Sequence, residues 1–126
     1  MRFISTRAHG VIDYLMGALL IVAPYLLDFA DGTAAQWVLQ IVGAALIGAS
    51  LLTDYELGIM RMIPMPIHLG LDVAAGLLLV VSPWLFGFAD RIWLPHVIFG
   101  LAEIGVGLMT RTVPETTAGT PTTPIP

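Results

Sequence analysis

The chain contains the same helical unit twice, and this internal repeat constrains the fold more than any other feature. At an offset of 59 residues, segments 9–31 and 68–90 are identical at 11 of 23 positions. After a two-residue deletion, segments 37–54 and 94–111 are identical at 7 of 18 positions. Each copy holds two long apolar runs, so the sequence predicts four helices arranged as two related hairpins.

The apolar runs are those of a membrane protein. The 126 residues are 57% hydrophobic and only 11% charged, with a mean hydropathy of +0.89, whereas soluble domains carry roughly a quarter charged residues. Runs of about 17–21 residues can cross a hydrocarbon core of about 30 Å. Because backbone groups find no water in lipid, such runs must be helical. The predicted fold is therefore an all-α, four-helix transmembrane bundle.

The repeat also sets the predicted order of segments along the chain. They are a basic arm (1–8), a first repeat (9–54, helices at about 9–27 and 36–53), a linker (55–66), a second repeat (67–111, helices at about 67–86 and 94–110) and a tail (112–126). The tail is rich in Thr and Pro and is expected to be disordered. Each repeat crosses the membrane twice, so both enter from the same side, related by a pseudo-two-fold axis along the membrane normal.

The arginines predict the orientation in the membrane. Four of the five lie on one predicted side, and only Arg91 lies on the other. The positive-inside rule then places both termini in the cytoplasm of a cell (plasma or inner) membrane. The chain has no lysine and no basic patch, so nucleic acid is not an expected partner. The expected partners are the lipid bilayer and either further copies of the chain or another membrane protein.

A proline-aromatic motif ends the first helix of each repeat. Proline removes a backbone hydrogen bond and bends the helix, and a neighbouring serine can bond the freed carbonyl. An aromatic ring is suited to the membrane interface, and a following glycine to a left-handed helix end. The alternative function is a groove for an extracytoplasmic partner. The residues of this interface turn are Pro24, Tyr25, Ser82, Pro83 and Trp84.

The two copies of a His-x3-Asp-x3-Gly helix, with Ser82-Pro83-Trp84-Leu85-Phe86-Gly87-Phe88 ending the second, resemble the SPW-repeat family of small prokaryotic membrane proteins. The resemblance covers roughly residues 9–111, and the first copy departs from the motif by reading Ala23-Pro24-Tyr25. It implies a four-helix membrane fold and no established activity.

Two His–Asp pairs are the first candidate site. His9 and Asp13 are four residues apart, as are His68 and Asp72, so each pair shares one helix face near the cytoplasmic boundary. The structural interpretation is local pairing in the first turns of a helix. The functional one is that the two aspartates meet near the pseudo-axis as a proton or cation site, since intramembrane carboxylates are costly. Haem ligation by the two histidines is a further alternative.

Glu103 is the second candidate, because the repeat places Leu46 at the equivalent position. His96, Gly100, Gly107 and Thr110 share its helix face, and such a small, polar stripe should face other helices rather than lipid. Glu103 either packs as a hydrogen-bonded protonated acid or carries protons or ligands. Its depth allows it to join the aspartates in one cluster.

Other patterns are weaker. The small-x3-small pairs Ala44/Gly48 and Gly70/Ala74 are expected to pack helices inside the bundle. Met60, Met62 and Met65 offer thioethers for Cu(I) but fit an interfacial segment better. No catalytic set, phosphate loop or metal-spaced cluster is recognisable, so no cofactor and no enzymatic activity are expected. The expected function is a scaffold, accessory or self-assembling membrane subunit. The alternative is an oligomeric proton- or ion-coupled transporter or channel using intramembrane acids, and a membrane redox or lipid-modifying enzyme comes third.

Overall fold

The computed structural model describes residues 2–114 and confirms the predicted all-α bundle. Its four helices are α1 (Thr6–Leu26), α2 (Ala34–Leu52), α3 (Met65–Leu85) and α4 (Leu94–Met109). The predicted disorder at 115–126 lies outside the described residues. Helix α1 starts three residues earlier than the sequence suggested, because the Ser5 side chain caps it by accepting from the backbone N–H of Ala8.

Three of the helices have the length and composition to span a membrane. Helices α1 and α3 have 21 residues each and α2 has 19, all with strongly apolar spans. At 1.5 Å per residue, 21 residues extend about 31 Å. Helix α4 is also apolar but has only 16 residues, shorter than expected. Large apolar side chains such as Leu15 and Ile41 point outward, as membrane-facing residues do.

In each hairpin, one glycine–glycine contact brings the two helices together. Backbone oxygens of Gly17 and Gly43 face the opposite glycine so closely that a Cβ on either residue would lie 2.7–2.8 Å from the other's oxygen. Gly76 and Gly100 make the equivalent contact in the second hairpin, with 2.5–2.6 Å. Small residues permit such close approach in membranes, where packing rather than hydrophobicity drives association.

The small-residue pairs singled out by spacing do not make these contacts. Among the described residues, nothing lies within 4 Å of a Cβ built on Gly48 or on Gly70. The prediction that they pack helices inside the bundle was therefore wrong for these two glycines. Spacing along the sequence places small residues on one face of a helix. Whether that face turns into the bundle or outward depends on the packing of all four helices.

The repeat extends into the segments before α1 and α3. Ile4 pairs with Thr110 at the end of α4, and Ile63 pairs with Thr53 at the end of α2. The bonds are equivalent in the two places: Ile4 N–H donates to the Met109 carbonyl, and Ile63 N–H to the Leu52 carbonyl. The N-terminal arm is thus docked on the second repeat, and each hairpin is tied to the other at this end of the bundle.

The SPW motif closes α3 as its chemistry predicts. Pro83 cannot donate to the Leu79 carbonyl four residues earlier, and the Ser82 hydroxyl donates to that carbonyl instead, at 2.8 Å. The Phe88 N–H then donates to the Pro83 carbonyl, and Gly87 has φ +76°, which together form a Schellman helix end. In the first repeat Phe29 N–H donates to the Pro24 carbonyl in the same way.

In the first repeat, an aspartate occupies the left-handed position of this helix end, which favours glycine. Asp28 stands where the second repeat has Gly87, and it adopts φ +61°. An aspartate at this position must adopt a left-handed backbone conformation, which is costly for a residue with a Cβ. Its carboxylate also lies beside the negative end of the helix dipole. We expect Asp28→Gly to raise the free energy of unfolding by up to about 1 kcal/mol, and Gly87→Ala to lower it by about 1 kcal/mol. Chemical unfolding in detergent measures both, and shifts of the same sign would contradict this reading.

The two halves of the bundle differ in polarity. The half near the SPW turns holds an apolar core of Leu20, Leu39, Val42, Leu79, Phe88 and their neighbours. The other half holds a small apolar cluster of Tyr55, Met65 and Leu69. It also holds the buried titratable residues His9, Asp13, His68, Asp72 and Glu103. The fold therefore concentrates its buried charge at the end where residues 2–5, the linker and residues 110–114 lie.

Candidate functional site

The two His–Asp pairs form one buried group at the interface between the hairpins. Each helix carries its histidine one turn before its aspartate, so both side chains point to the same side. Helices α1 and α3 present these sides to each other, and none of the four residues is more than 1% exposed. We call this group the polar centre; its members are His9, Asp13, His68 and Asp72.

The shortest contacts in the polar centre cross between the repeats. His9 Nε2 lies 2.7 Å from Asp72 Oδ2, and 3.0 Å from Asp13 Oδ2 on its own helix. His68 Nε2 lies 2.7 Å from Asp13 Oδ2 and 3.1 Å from Asp72 Oδ2. Two nitrogens and two oxygens thus alternate around a closed ring. The expected local pairing is present, but each histidine is closer to the aspartate of the other repeat.

Two threonines fix how the imidazoles are oriented and protonated. The Thr53 hydroxyl donates its single proton to the Ala49 carbonyl at 2.6 Å, so its oxygen must accept from His68 Nδ1–H, at 2.6 Å. Thr110 does the same for His9, donating to the Val106 carbonyl at 2.6 Å and accepting at 2.8 Å. Both Nδ1 atoms therefore carry hydrogen, and both Nε2 atoms face the carboxylates.

The two threonines contact the polar centre, but the sequence did not predict them as site residues. Each belongs to the repeat opposite its histidine, so the hydrogen bonds also cross between the hairpins. A signal was present, because Thr53 and Thr110 are identical residues at equivalent ends of α2 and α4. Ser50 was missed as well, and its hydroxyl lies 3.3 Å from Asp13 Oδ2.

Glu103 lies beside the polar centre and is fully buried. The inward stripe of α4 is buried throughout, comprising His96, Gly100, Glu103, Gly107 and Thr110. Glu103 is near enough to interact electrostatically with all four residues of the centre. Neither of its carboxyl oxygens has a hydrogen-bond partner among the described residues. The structure thus places the third predicted acid within electrostatic range of the two aspartates, though outside the ring of four ligand atoms.

His96 is buried but takes no part in the polar centre. Its Nε2–H donates to the Ala35 carbonyl at 2.8 Å. Its ring lies between those of Phe29 and Phe88, at centroid distances of 5.6 and 4.8 Å. This histidine joins the two Schellman helix ends at the opposite end of the bundle.

Titratable groups outside the four helices lie at both ends of the bundle. Burial raises the pKa of Tyr55, whose ring lies 6.1 Å from that of His68. At the other end, hydrogen bonds from Thr33 and then from Arg91 lower the pKa of Asp31 to about 2. The Arg91–Asp31 contact, at 2.8 Å, joins the two repeats on an exposed surface.

Two alternatives from the sequence do not fit this geometry. The rings of His9 and His68 lie 5.4 Å apart and contact the same two carboxylate oxygens, which leaves no slot for a haem between them. The three methionines do not converge, since Met60 and Met62 are 58% and 69% exposed and Met65 is buried.

The aromatic residues Tyr25 and Trp84 of the interface turns are 65% and 60% exposed.

Comparison with known proteins identifies the family. The model of the SPW repeat domain matches residues 7–110, which include both hairpins, the polar centre and both proline-aromatic turns. Comparisons with curated proteins and with solved structures gave no significant match. The match covers most of the chain, and the helices are apolar enough to span a bilayer. The chain is a small multi-pass membrane protein and belongs to the SPW repeat family.

Proposed function

We propose that this protein is a non-enzymatic membrane subunit that acts by packing, either with copies of itself or with another membrane protein. The observation that carries the proposal is the closure of the polar centre. Its four residues are at most 1% exposed and are held by reciprocal contacts between the repeats. A buried network of this kind serves to specify one arrangement of the helices. This supports a packing role rather than a site that turns over substrate.

The outer surface offers places where a second helix could pack. Gly48 lies in an apolar recess of about 310 Å³ that it shares with Leu51, Leu52, Ile59 and Met60. Gly70 lies in a second recess, of about 300 Å³, between α3 and α4. Small residues that face outward allow close approach of a neighbouring transmembrane helix. The proposed location is the cell (plasma or inner) membrane, with both termini cytoplasmic, as the arginine distribution favours.

An ion- or proton-coupled transporter is the second candidate function. Glu103 favours it, because a buried carboxyl group without a hydrogen-bond partner among the described residues is unusual in a purely structural role. A transporter would need this acid to reach water in another conformation. In the structure it is 0% exposed, which is why packing is the leading proposal.

Native mass spectrometry after gentle detergent extraction tests the packing proposal. We expect either an oligomer of fixed number or a retained second membrane protein. Gly48→Leu and Gly70→Leu should weaken that complex, because they fill the outward recesses. Leu15→Ile, a volume-conserving change at a side chain that is 66% exposed on α1, is the control and should leave it intact. A bare monomer, combined with proton or cation flux in liposomes that Glu103→Gln abolishes, would replace this proposal by the transporter.

A further inference from the structure

The polar centre gathers metal-ligating atoms more tightly than pairing alone requires. One ligand atom from each of its four residues lies within 4.8 Å of every other. Around the ring the nitrogen–oxygen distances are 2.7, 3.0, 2.7 and 3.1 Å. Donors bound at about 2.1 Å to one ion lie about 3.0 Å apart at a right angle and about 3.4 Å apart in a tetrahedron. Neighbouring donors around the ring therefore need to shift by at most about 0.7 Å to reach either spacing, and opposite donors lie within 4.8 Å of each other.

The hydrogen bonds of the imidazoles are those of metal ligands. Because Thr53 and Thr110 take the Nδ1 protons, a neutral His9 or His68 has only a lone pair at Nε2. Histidines that bind metals commonly donate their other N–H to an oxygen in this way, which fixes the ring and its tautomer. Both rings are thus set with Nε2 toward the centre.

Lone pairs would then face one another across the ring. Two neutral imidazoles and two ionised carboxylates place four lone-pair contacts at 2.7–3.1 Å, which is repulsive unless positive charge lies between them. Two protons or one divalent cation would each supply the two charges that balance Asp13 and Asp72. The ring geometry alone permits either.

The surrounding carboxyl oxygens favour the cation. Asp13 Oδ1 and Asp72 Oδ1 are buried without a hydrogen-bond partner among the described residues, and so are both oxygens of Glu103. Two protons inside the ring leave these four oxygens unsatisfied, and buried polar atoms in that state are uncommon. A cation at the centre would attract the Oδ1 atoms of Asp13 and Asp72, and Glu103, at the position of Leu46 in the first repeat, lies within electrostatic range of it.

We propose that the polar centre binds one divalent first-row transition-metal cation through His9 Nε2, His68 Nε2 and the carboxylates of Asp13 and Asp72, with Glu103 adding negative charge beside it. Mixed imidazole and carboxylate ligands suit ions such as Zn²⁺, Co²⁺ and Mn²⁺, whereas Mg²⁺ and Ca²⁺ prefer sites made of oxygen alone. The proposal adds a ligand to the centre and does not depend on whether the protein acts by packing or by transport.

Binding of Co²⁺ to the full chain tests the site. Protein purified in detergent with a histidine-free tag, and stripped with a chelator, should take up one Co²⁺ per chain with visible absorption bands, also in excess Mg²⁺. Asp72→Asn and Asp13→Asn should each lower the affinity at least tenfold. His96→Gln is the matched control, since it changes the one histidine outside the centre, and it should bind as the parent protein does.

A measurement on the unmodified chain covers the case in which the variants do not fold. X-ray absorption of the Zn²⁺-loaded protein should show a shell of nitrogen and oxygen at about 2.0–2.2 Å with scattering from two imidazoles. A parent protein that stays folded and takes up no Co²⁺ would overturn the proposal in favour of two protons. Binding unchanged by both asparagine variants, or a shell without imidazole, would overturn it as well.

Discussion

Asp13→Ala is expected to lower the free energy of unfolding by about 3–5 kcal/mol, because it removes one partner of a buried charged network. Asp13 Oδ2 lies 3.0 Å from His9 Nε2, 2.7 Å from His68 Nε2 and 3.3 Å from the Ser50 hydroxyl. Without it, two buried imidazoles and a hydroxyl keep no full set of partners. Reversible unfolding in mixed detergent–SDS micelles, followed by circular dichroism, measures the loss.

The equivalent change in the second repeat provides an internal check. Asp72→Ala should cost nearly as much, and the double variant should cost clearly less than the sum, because the first removal already opens the ring. Asp31→Ala is the control, since it removes an exposed carboxylate paired with Arg91 and should change stability far less than Asp13→Ala does. Additive losses at Asp13 and Asp72 would mean that the two aspartates do not act as one unit.

The repeat made much of this architecture predictable from the sequence. Helical spacing places His9 with Asp13 and His68 with Asp72, and the offset of 59 residues places the two pairs at equal depth. Two equivalent sites related by an axis between them can meet only at that axis. For this reason the sequence could suggest that the aspartates come together, and that Glu103 lies near them.

The partners of each atom were not predictable in the same way. Spacing within each helix predicts the local His–Asp pairs, but the shortest contacts run between repeats. Their geometry depends on how far α1 and α3 rotate toward each other, which many weak packing contacts decide together. The roles of Thr53 and Thr110 follow from that rotation, because each threonine reaches a histidine that is distant in the chain.

The absence of a recognised metal motif has the same cause. Local motifs place several ligands on one segment, whereas here each segment supplies two of the four polar-centre residues and the repeat supplies the other two. A search by spacing within one segment finds only half of such a centre. In duplicated membrane proteins, a His-x3-Asp pair that recurs at equal depth is therefore worth reading as half of a four-residue group.

Gly100→Ala is the second change with a large expected effect, because a single methyl group forces α3 and α4 apart. Its Cβ would lie 2.5 Å from the Gly76 carbonyl oxygen, 2.7 Å from Val80 Cγ2 and 2.9 Å from Val80 N. Backbone atoms cannot move aside as the end of a flexible side chain can. We expect a loss of about 1–3 kcal/mol or more in the free energy of unfolding, measured in the same micelles.

Gly105→Ala on the same helix separates this effect from helix propensity. Nothing among the described residues lies within 4 Å of a Cβ at Gly105, so alanine there should be neutral or stabilising by up to about 1 kcal/mol. Gly43→Ala, at the position equivalent to Gly100, should resemble Gly100→Ala, since its Cβ would lie 2.7 Å from the Gly17 carbonyl oxygen. Equal effects at Gly100 and Gly105 would show that the helices are not held by the glycine contact. A loss at Gly100 and at Gly43 but not at Gly105 would show that each hairpin depends on its own glycine pair.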